Sequence, residues 1–313
     1  DMLKALNYET YDRIPRSLAA QALECGYFLG RGRRFARLAA RLGLHRQSAL
    51  QRQWRQESAA MKNIRAPAQA QAFGSLVQQG VYDAAFRHSQ PARNFFRDTV
   101  RQALGAMPES RSLAILECGC GTGAWLDCLR NEVLHDSGSR HRYYGFDLTP
   151  EMVEVARGKL AGQVPADHLR AGDVLDPASF AFPTDQRFDL IYAYDLIQQL
   201  PRSLQLAACR MLRDHLAPGG VVVIFDHDHF SRYGQKMAWK KFATRHLRLP
   251  LVPEYFCNAK YPPLAWFLSR LRKTANTRAE IRMAGDGRKR ALIVRATDQF
   301  PQQTMHPPRA IAG

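Results

Sequence analysis

The feature that most constrains the fold is the alternation of short apolar runs with helical stretches between residues 112 and 226. "LAILEC" reads as a strand, followed by a glycine loop and a helix from Ala124. "RYYGFDL" reads as a second strand, and the helix "PEMVEVARGKL" after it opens on Pro150, which suits a first helical turn. "HLRAGDV" is a third strand, "FDLIYAYD" a fourth, and "PRSLQLAACRMLRDHL" a long helix. "PGG" then turns the chain into a fifth strand, "VVVIFDHD". Strands separated by helices of this length predict a doubly wound parallel sheet. Farther on, "RAEIRM" and "KRALIVRA" flank "AGDGR", a turn of hairpin chemistry. The expected architecture is therefore α/β, a seven-stranded, mostly parallel sheet with an antiparallel last strand.

Five parts are expected along the chain. They are a basic helical extension (1–75), an α/β core with its leading helix (76–226), a basic aromatic insert (227–277), a terminal hairpin (278–300) and a disordered tail (301–313). In "FLGRGRRFARLAARLGLHRQ", Phe35, Leu38, Ala39 and Leu42 recur at helical spacing opposite Arg34, Arg37 and Arg41, a basic amphipathic helix. "RAPAQAQAFGS" (65–75) reads as a linker, and Tyr82 to Leu104 as helix. The net charge is +17 and is unevenly spread. Residues 1–110 carry 17 Lys/Arg against 8 Asp/Glu, 111–226 carry 11 against 15, and 227–313 carry 17 against 5. Basic flanks around an acidic middle point to an anionic partner. The six cysteines show no CxxC pair and no zinc spacing, so no metal site is expected. No apolar run approaches the ~20 residues of a transmembrane helix. With no signal peptide in view, a reduced, cytoplasmic setting is expected.

The glycine loop sits where such a sheet opens a ligand crevice, at the C-terminal ends of its first strands. Without Cβ atoms its N–H groups can approach a ligand closely. Gly119, Gly121 and Ala124 match the G-x-G-x-x-G/A form of a dinucleotide site; Gly119, Gly121 and Gly123 behind Glu117 match an E-x-G-x-G-x-G loop instead. Three neighbours favour the second. Glu117 offers a negative charge that a phosphate would avoid and an ammonium group would seek. Asp147, ending the second strand, can accept both hydroxyls of a ribose. Asp173 can accept from an adenine amino group while Val174 donates its backbone N–H. An amino-acid end, a ribose and an adenine are the parts of S-adenosylmethionine (SAM).

At this point the chain resembles the class I SAM-dependent methyltransferases, small-molecule branch. "ILECGCGTG", "YYGFDLTPEMVEVAR", "AGDV", "FDLIYAYDLIQQL" and "LAPGGVVVIFD" carry the likeness over roughly residues 80–296. The resemblance implies SAM as cofactor, held by Glu117, Gly119, Gly121, Gly123, Asp147, Leu148, Asp173 and Val174. It further implies a cofactor contact for Tyr82, in a helix closing over the site, and for Tyr194 at the end of strand four. "AYDLIQQL" lacks the Asn/Asp-Pro-Pro-aromatic sequence that grips an exocyclic base nitrogen, and Gln198 and Gln199 stand where "-LHHL-" is common.

A base for the acceptor is then sought in His227 and His229 at the end of strand five, as histidines able to titrate near neutral pH. Tyr233 and Trp239 are candidates for the acceptor pocket, with core packing the plainer reading of Trp239. The acceptor is expected to be a small molecule, anionic or lipophilic, methylated on O, N or C. Two alternatives stand beside it. One is an RNA methyltransferase using the basic flanks. The other is a peripheral protein resting on an anionic membrane through its amphipathic helix. The sequence is silent on oligomeric state.

Overall fold

A computed structural model of the chain describes residues 70–296, except 72, 79, 81, 86–88, 106–110, 136–139, 183–186, 201, 230, 253–258 and 273–276. The basic amphipathic helix around Arg34, Arg37 and Arg41 and the tail after 300 lie outside the described residues.

Seven strands form one sheet: β1 (Ala114–Cys118), β2 (Arg142–Asp147), β3 (Leu169–Ala171), β4 (Phe188–Tyr194), β5 (Leu216–His227), β6 (Thr277–Met283) and β7 (Lys289–Ala296). Their order is β3-β2-β1-β4-β5-β7-β6. Strands β1 to β5 pair in parallel. β7 pairs antiparallel with both β5 and β6 and alone runs against the rest. The order turns around between β1 and β4, so a crevice opens beyond their C-terminal ends. β1 and β4 are buried along their whole length, as strands covered on both faces must be.

Helices supply that cover. On one face Phe96 of α2 (Gln90–Leu104) and Trp125 of α3 (Ala124–Cys128) pack with Tyr192, Phe225 and Ile293. On the other face Cys209 and Leu212 of α5 (Arg202–Asp214) and Phe267 of α7 (Leu264–Leu271) pack with Phe146, Ile191, Ile224 and Leu292. Between β2 and β3 lies α4 (Pro150–Lys159), and after β5 comes α6 (Arg232–His246). Among the described residues no helix is long and apolar enough to cross a membrane.

Three local expectations change. The end of the expected linker is helical at residues 70–71 and 73–78, because Leu76 finds buried contacts there. The helix expected from Tyr82 to Leu104 is two helices, α1 (Tyr82–Ala85) and α2. Ser89 is extended at the α2 N-cap and Pro91 lies in its first turn, the only turn that tolerates a residue without an N–H. "PGG" does not precede the fifth strand but lies inside it. Gly219 takes φ +72° and the β4–β5 register shifts between Phe188 and Leu190. The bulge lets pairing continue back to Leu216.

Candidate active site

The donor side is built from the loop after β1. Gly119, Gly121 and Gly123 have φ of +72°, +51° and +80°, a region that side chains with a Cβ enter at a cost. A Cβ on Gly119 would stand 2.9 Å from Leu196 Cδ1, and one on Gly121 would stand 3.5 Å from the Tyr82 hydroxyl. Gly119 and Cys120 donate their N–H groups to the Phe146 carbonyl at 2.8 and 3.0 Å, which ties the loop to the end of β2. Asp147 completes the tie. Its Oδ2 accepts from Gly121 N and its Oδ1 from Thr149 N, both at 2.9 Å. The N–H of half-buried Leu148 also turns to this carboxylate. Burial pushes the Asp147 carboxyl upward while these donors hold it down. With the Thr149 hydroxyl, four donors converge on this carboxylate.

Glu117 sits one residue before the end of β1, only 1% exposed. It accepts from the Tyr192 hydroxyl at 3.0 Å, its register partner on β4, and from the Leu126 N–H in the first turns of α3. Burial holds its carboxyl well above the usual range, so a cation brought beside it would be strongly favoured. Asp173 follows β3; its Oδ1 accepts from Leu175 N at 3.0 Å and its own N–H goes to Ser179 Oγ at 2.8 Å, with Val174 buried beside it.

Tyr82 lies over the glycine loop. Its ring meets Phe73 edge-on at 6.3 Å, and burial together with Asp147 and Asp195 pushes its hydroxyl upward in pKa. Asp83, which belongs to no motif, fastens this helical turn to the loop. It accepts from Thr122 Oγ1 at 2.7 Å and pairs with Lys159 of α4. Tyr194, expected to contact the cofactor, is packed at the end of β4 with Lys289 Nζ 4.6 Å over its ring. Its ring is stacked between Trp125, at 4.0 Å between centroids, and Phe225, at 5.4 Å. The alternation of β4 turns it to the same face as Tyr192, into the core beneath the site.

The acceptor side lies across the ends of β4 and β5. Asp195, directly after β4, adopts φ +56°, a strained conformation of the kind that clusters at functional positions. It accepts from Gln198 Nε2 at 2.7 Å and pairs with Lys289 of β7. Gln198 donates its backbone N–H to Asp226 Oδ2 at 2.9 Å, and its buried Oε1 has no protein partner. The four residues "DHDH" do not form a solvated cap. Asp226 and Asp228 are fully buried; Asp228 pairs with Arg290 at 2.5 Å and accepts from Leu264 N at 3.1 Å.

The His227 ring lies 4.9 Å from both Tyr233 and Tyr261, whose own rings are nearly parallel. His227 Nδ1 is 2.8 Å from the Arg288 carbonyl. A carbonyl only accepts, so Nδ1 carries the proton and Nε2 keeps its lone pair. Burial first, and then the Lys289 charge, lower this imidazole to about 4. That corrects the expectation of titration near neutrality, because a desolvated ring beside a cation resists a second proton. His229 donates its backbone N–H to the Pro262 carbonyl at 3.0 Å in the turn before α6. Trp239, expected in the core or the acceptor pocket, is 61% exposed. Asp195, Tyr261 and Lys289 were not foreseen. Asp195 alone left a trace in the sequence, since Asp is among the few residues that enter the left-handed region.

Residues 115–220 match the family described as "Methyltransferase domain". The match runs from β1 through the glycine loop, Asp147 and Asp195 into β5 and stops short of His227. No curated protein matches the sequence. Among solved structures, the plantazolicin methyltransferase BpumL, in complex with a pentazolic desmethyl analogue and SAH, is 12% identical over 77% of this chain and 99% of its own, with a TM-score of 0.53. The CurJ carbon methyltransferase is 16% identical over 80% of this chain and 70% of its own, with a TM-score of 0.51. An O-methyltransferase family protein from Burkholderia thailandensis is 16% identical over 70% of this chain, with a TM-score of 0.48. The present chain spans 63% of that protein's length. At these identities the likeness to the first two shows the fold alone.

Proposed function

With a methyltransferase domain of the SAM-dependent kind over residues 115–220 as the premise, we propose that the protein moves the sulfonium methyl of SAM to a small lipophilic or anionic acceptor. The observation that carries this reading is the junction of two half-sites. A glycine cradle tied to Asp147 under Tyr82 and a His227 ring packed on two tyrosines both feel the charge of Asp195.

The residues present fit SAM. The space beside Gly121 is one that a Cβ would enter, Asp147 ends β2 with its carboxylate at the glycine loop, and Glu117 is a buried carboxyl with no cation beside it among the described residues. When bound, SAM supplies an electrophilic methyl group on a positively charged sulfur. Everything else falls to the chain. Tyr82 and Asp83 close α1 over the loop and exclude water, while the glycine N–H groups and Asp147 fix the donor's orientation. The nucleophilic atom of the acceptor forms the new bond to carbon as the carbon–sulfur bond breaks. An acceptor O–H or N–H donates to His227 Nε2, which aims it. At about 4 this imidazole is too weak a base to take the proton from a poorly acidic group. His227 is thus an orienting acceptor, and the proton leaves to solvent as the product forms. The insert (227–277) would cover the acceptor through Tyr233 and Tyr261.

The test is methyl transfer from labelled SAM into a metabolite extract. Label in an organic-extractable small product supports the reading, and label only in RNA refutes it.

A further inference from the structure

We propose that the outer face of α6, with the segment that follows it, docks on an anionic lipid surface. α6 has two faces. Tyr233, Met237 and Lys241 turn inward, where Met237 packs with Ala259 and Tyr261 and Lys241 Nζ donates to the Ala259 carbonyl at 2.7 Å. Arg232, Lys236 and Trp239 are exposed on the other side. At the helix end Arg248 takes φ +57° and Leu249 N–H returns to the Ala243 carbonyl at 3.2 Å, a left-handed reversal that folds the chain back on the last turn. Leu251 and Val252 donate from there to Thr244 Oγ1 at 3.3 Å. The reversal leaves Leu247, Leu249 and Leu251 at 51%, 46% and 42% exposure, about two turns beyond Trp239 at 61%.

The surrounding charge names the occupant. Residues 232–252 carry Arg232, Lys236, Lys240, Lys241, Arg245 and Arg248 and no Asp or Glu. Exposed leucines and a tryptophan in a stretch this rich in cations match a surface that is negative at the headgroups and apolar just below. Nucleic acid would use the cations, but aliphatic leucines neither stack on bases nor bind phosphates. The chain's own first 69 residues would be repelled, since they carry 13 Lys/Arg against 5 Asp/Glu. The same helix brings Tyr233 to His227, so a docked α6 would set the acceptor crevice beside the bilayer. That last consequence rests on the proposed methyl transfer, whereas the docking itself does not.

The full chain is to be sedimented with vesicles of phosphatidylcholine alone and of phosphatidylcholine with about one-third phosphatidylglycerol. Binding about tenfold or more tighter to the anionic vesicles is expected, weakened about fivefold or more by each reversal, Lys236→Glu and Lys240→Glu. Trp239→Ser with Leu249→Ser should weaken it by roughly tenfold, because apolar insertion is lost. Thermal melting of each variant checks the fold. A blue shift of tryptophan emission on vesicles, absent from Trp239→Phe, reads insertion without a destabilising change. Equal binding to both vesicles, or full binding by the Trp239→Ser, Leu249→Ser variant with displacement by RNA, would overturn the proposal. SAM affinity serves as the control and should not change in any variant.

Discussion

The donor half of the site is made largely of backbone, and the acceptor half almost wholly of side chains. Around the glycine loop, the groups that matter are N–H donors, a carbonyl and carboxylates that bind them, joined across a few residues or adjacent strands. Around His227 they are rings and charges gathered from β4, β5, α6, the segment before α7, and β7. The family match covers the first half and ends before His227 in the second. Function belongs to the side chains placed at a site rather than to the fold that carries them, so the acceptor half has to be read from its own residues.

Variants can break that division. The largest effect is expected from Gly121→Val. Its φ of +51° and the Tyr82 hydroxyl 3.5 Å from the new Cβ should raise the SAM dissociation constant about 100-fold or more, read by calorimetry. If Gly121→Val binds SAM normally, the donor half does not depend on bare backbone. Next is Lys289→Met, which leaves Asp195 without its cation. Asp195 is partly exposed, so stability should fall by about 1–2 kcal/mol, below the loss for a fully buried pair. The same variant should raise the His227 pKa from about 4, because the Lys289 charge helps depress it; NMR titration of the ring would show this. SAM affinity should stay within about twofold, and a larger change would mean that the two halves are coupled.

The pH dependence isolates His227. Its folded pKa of about 4 lies below the ordinary 6.5, so as pH falls the unfolded chain takes up the proton first. The stability is fully present above 6.5 and is lost as pH falls towards 4, on the order of 3 kcal/mol in all. Urea midpoints of wild type and His227→Gln should therefore converge across that window. Parallel curves would show that the ring is not desolvated. The smallest effect is expected from Asp83→Asn, which weakens the clasp on Thr122 and Lys159 and should speed SAM release about threefold. An unchanged release rate would free α1 from any role as a cover.

Legibility in the sequence follows the same line. Gly119, Gly121, Gly123 and Asp147 could be read directly, because a turn at positive φ beside a strand end demands those residue types. The alternation of strands and helices was legible for a similar reason, each element being set by local period. The stacking of Tyr194 on Trp125 was not legible because β4 is apolar on both faces, and its period does not say which face looks toward the helix holding Trp125. "PGG" looked like a turn because Gly219 in the left-handed region serves a bulge equally well. Lys289 meets Asp195, and Tyr261 meets His227, only through the fold, and neither carries a motif. Trp239 followed the rule that tryptophan is buried, and the structure exposes it.

The central claim is that this chain holds SAM in the cradle between Gly121, Asp147 and Tyr82. Calorimetric titration of SAM into the wild-type protein tests it most directly, with Gly121→Val alongside. The account predicts one saturable site in the wild type and its loss in a variant that still melts cooperatively. No heat and no thermal shift with the wild type, or equal binding by both proteins, would contradict it.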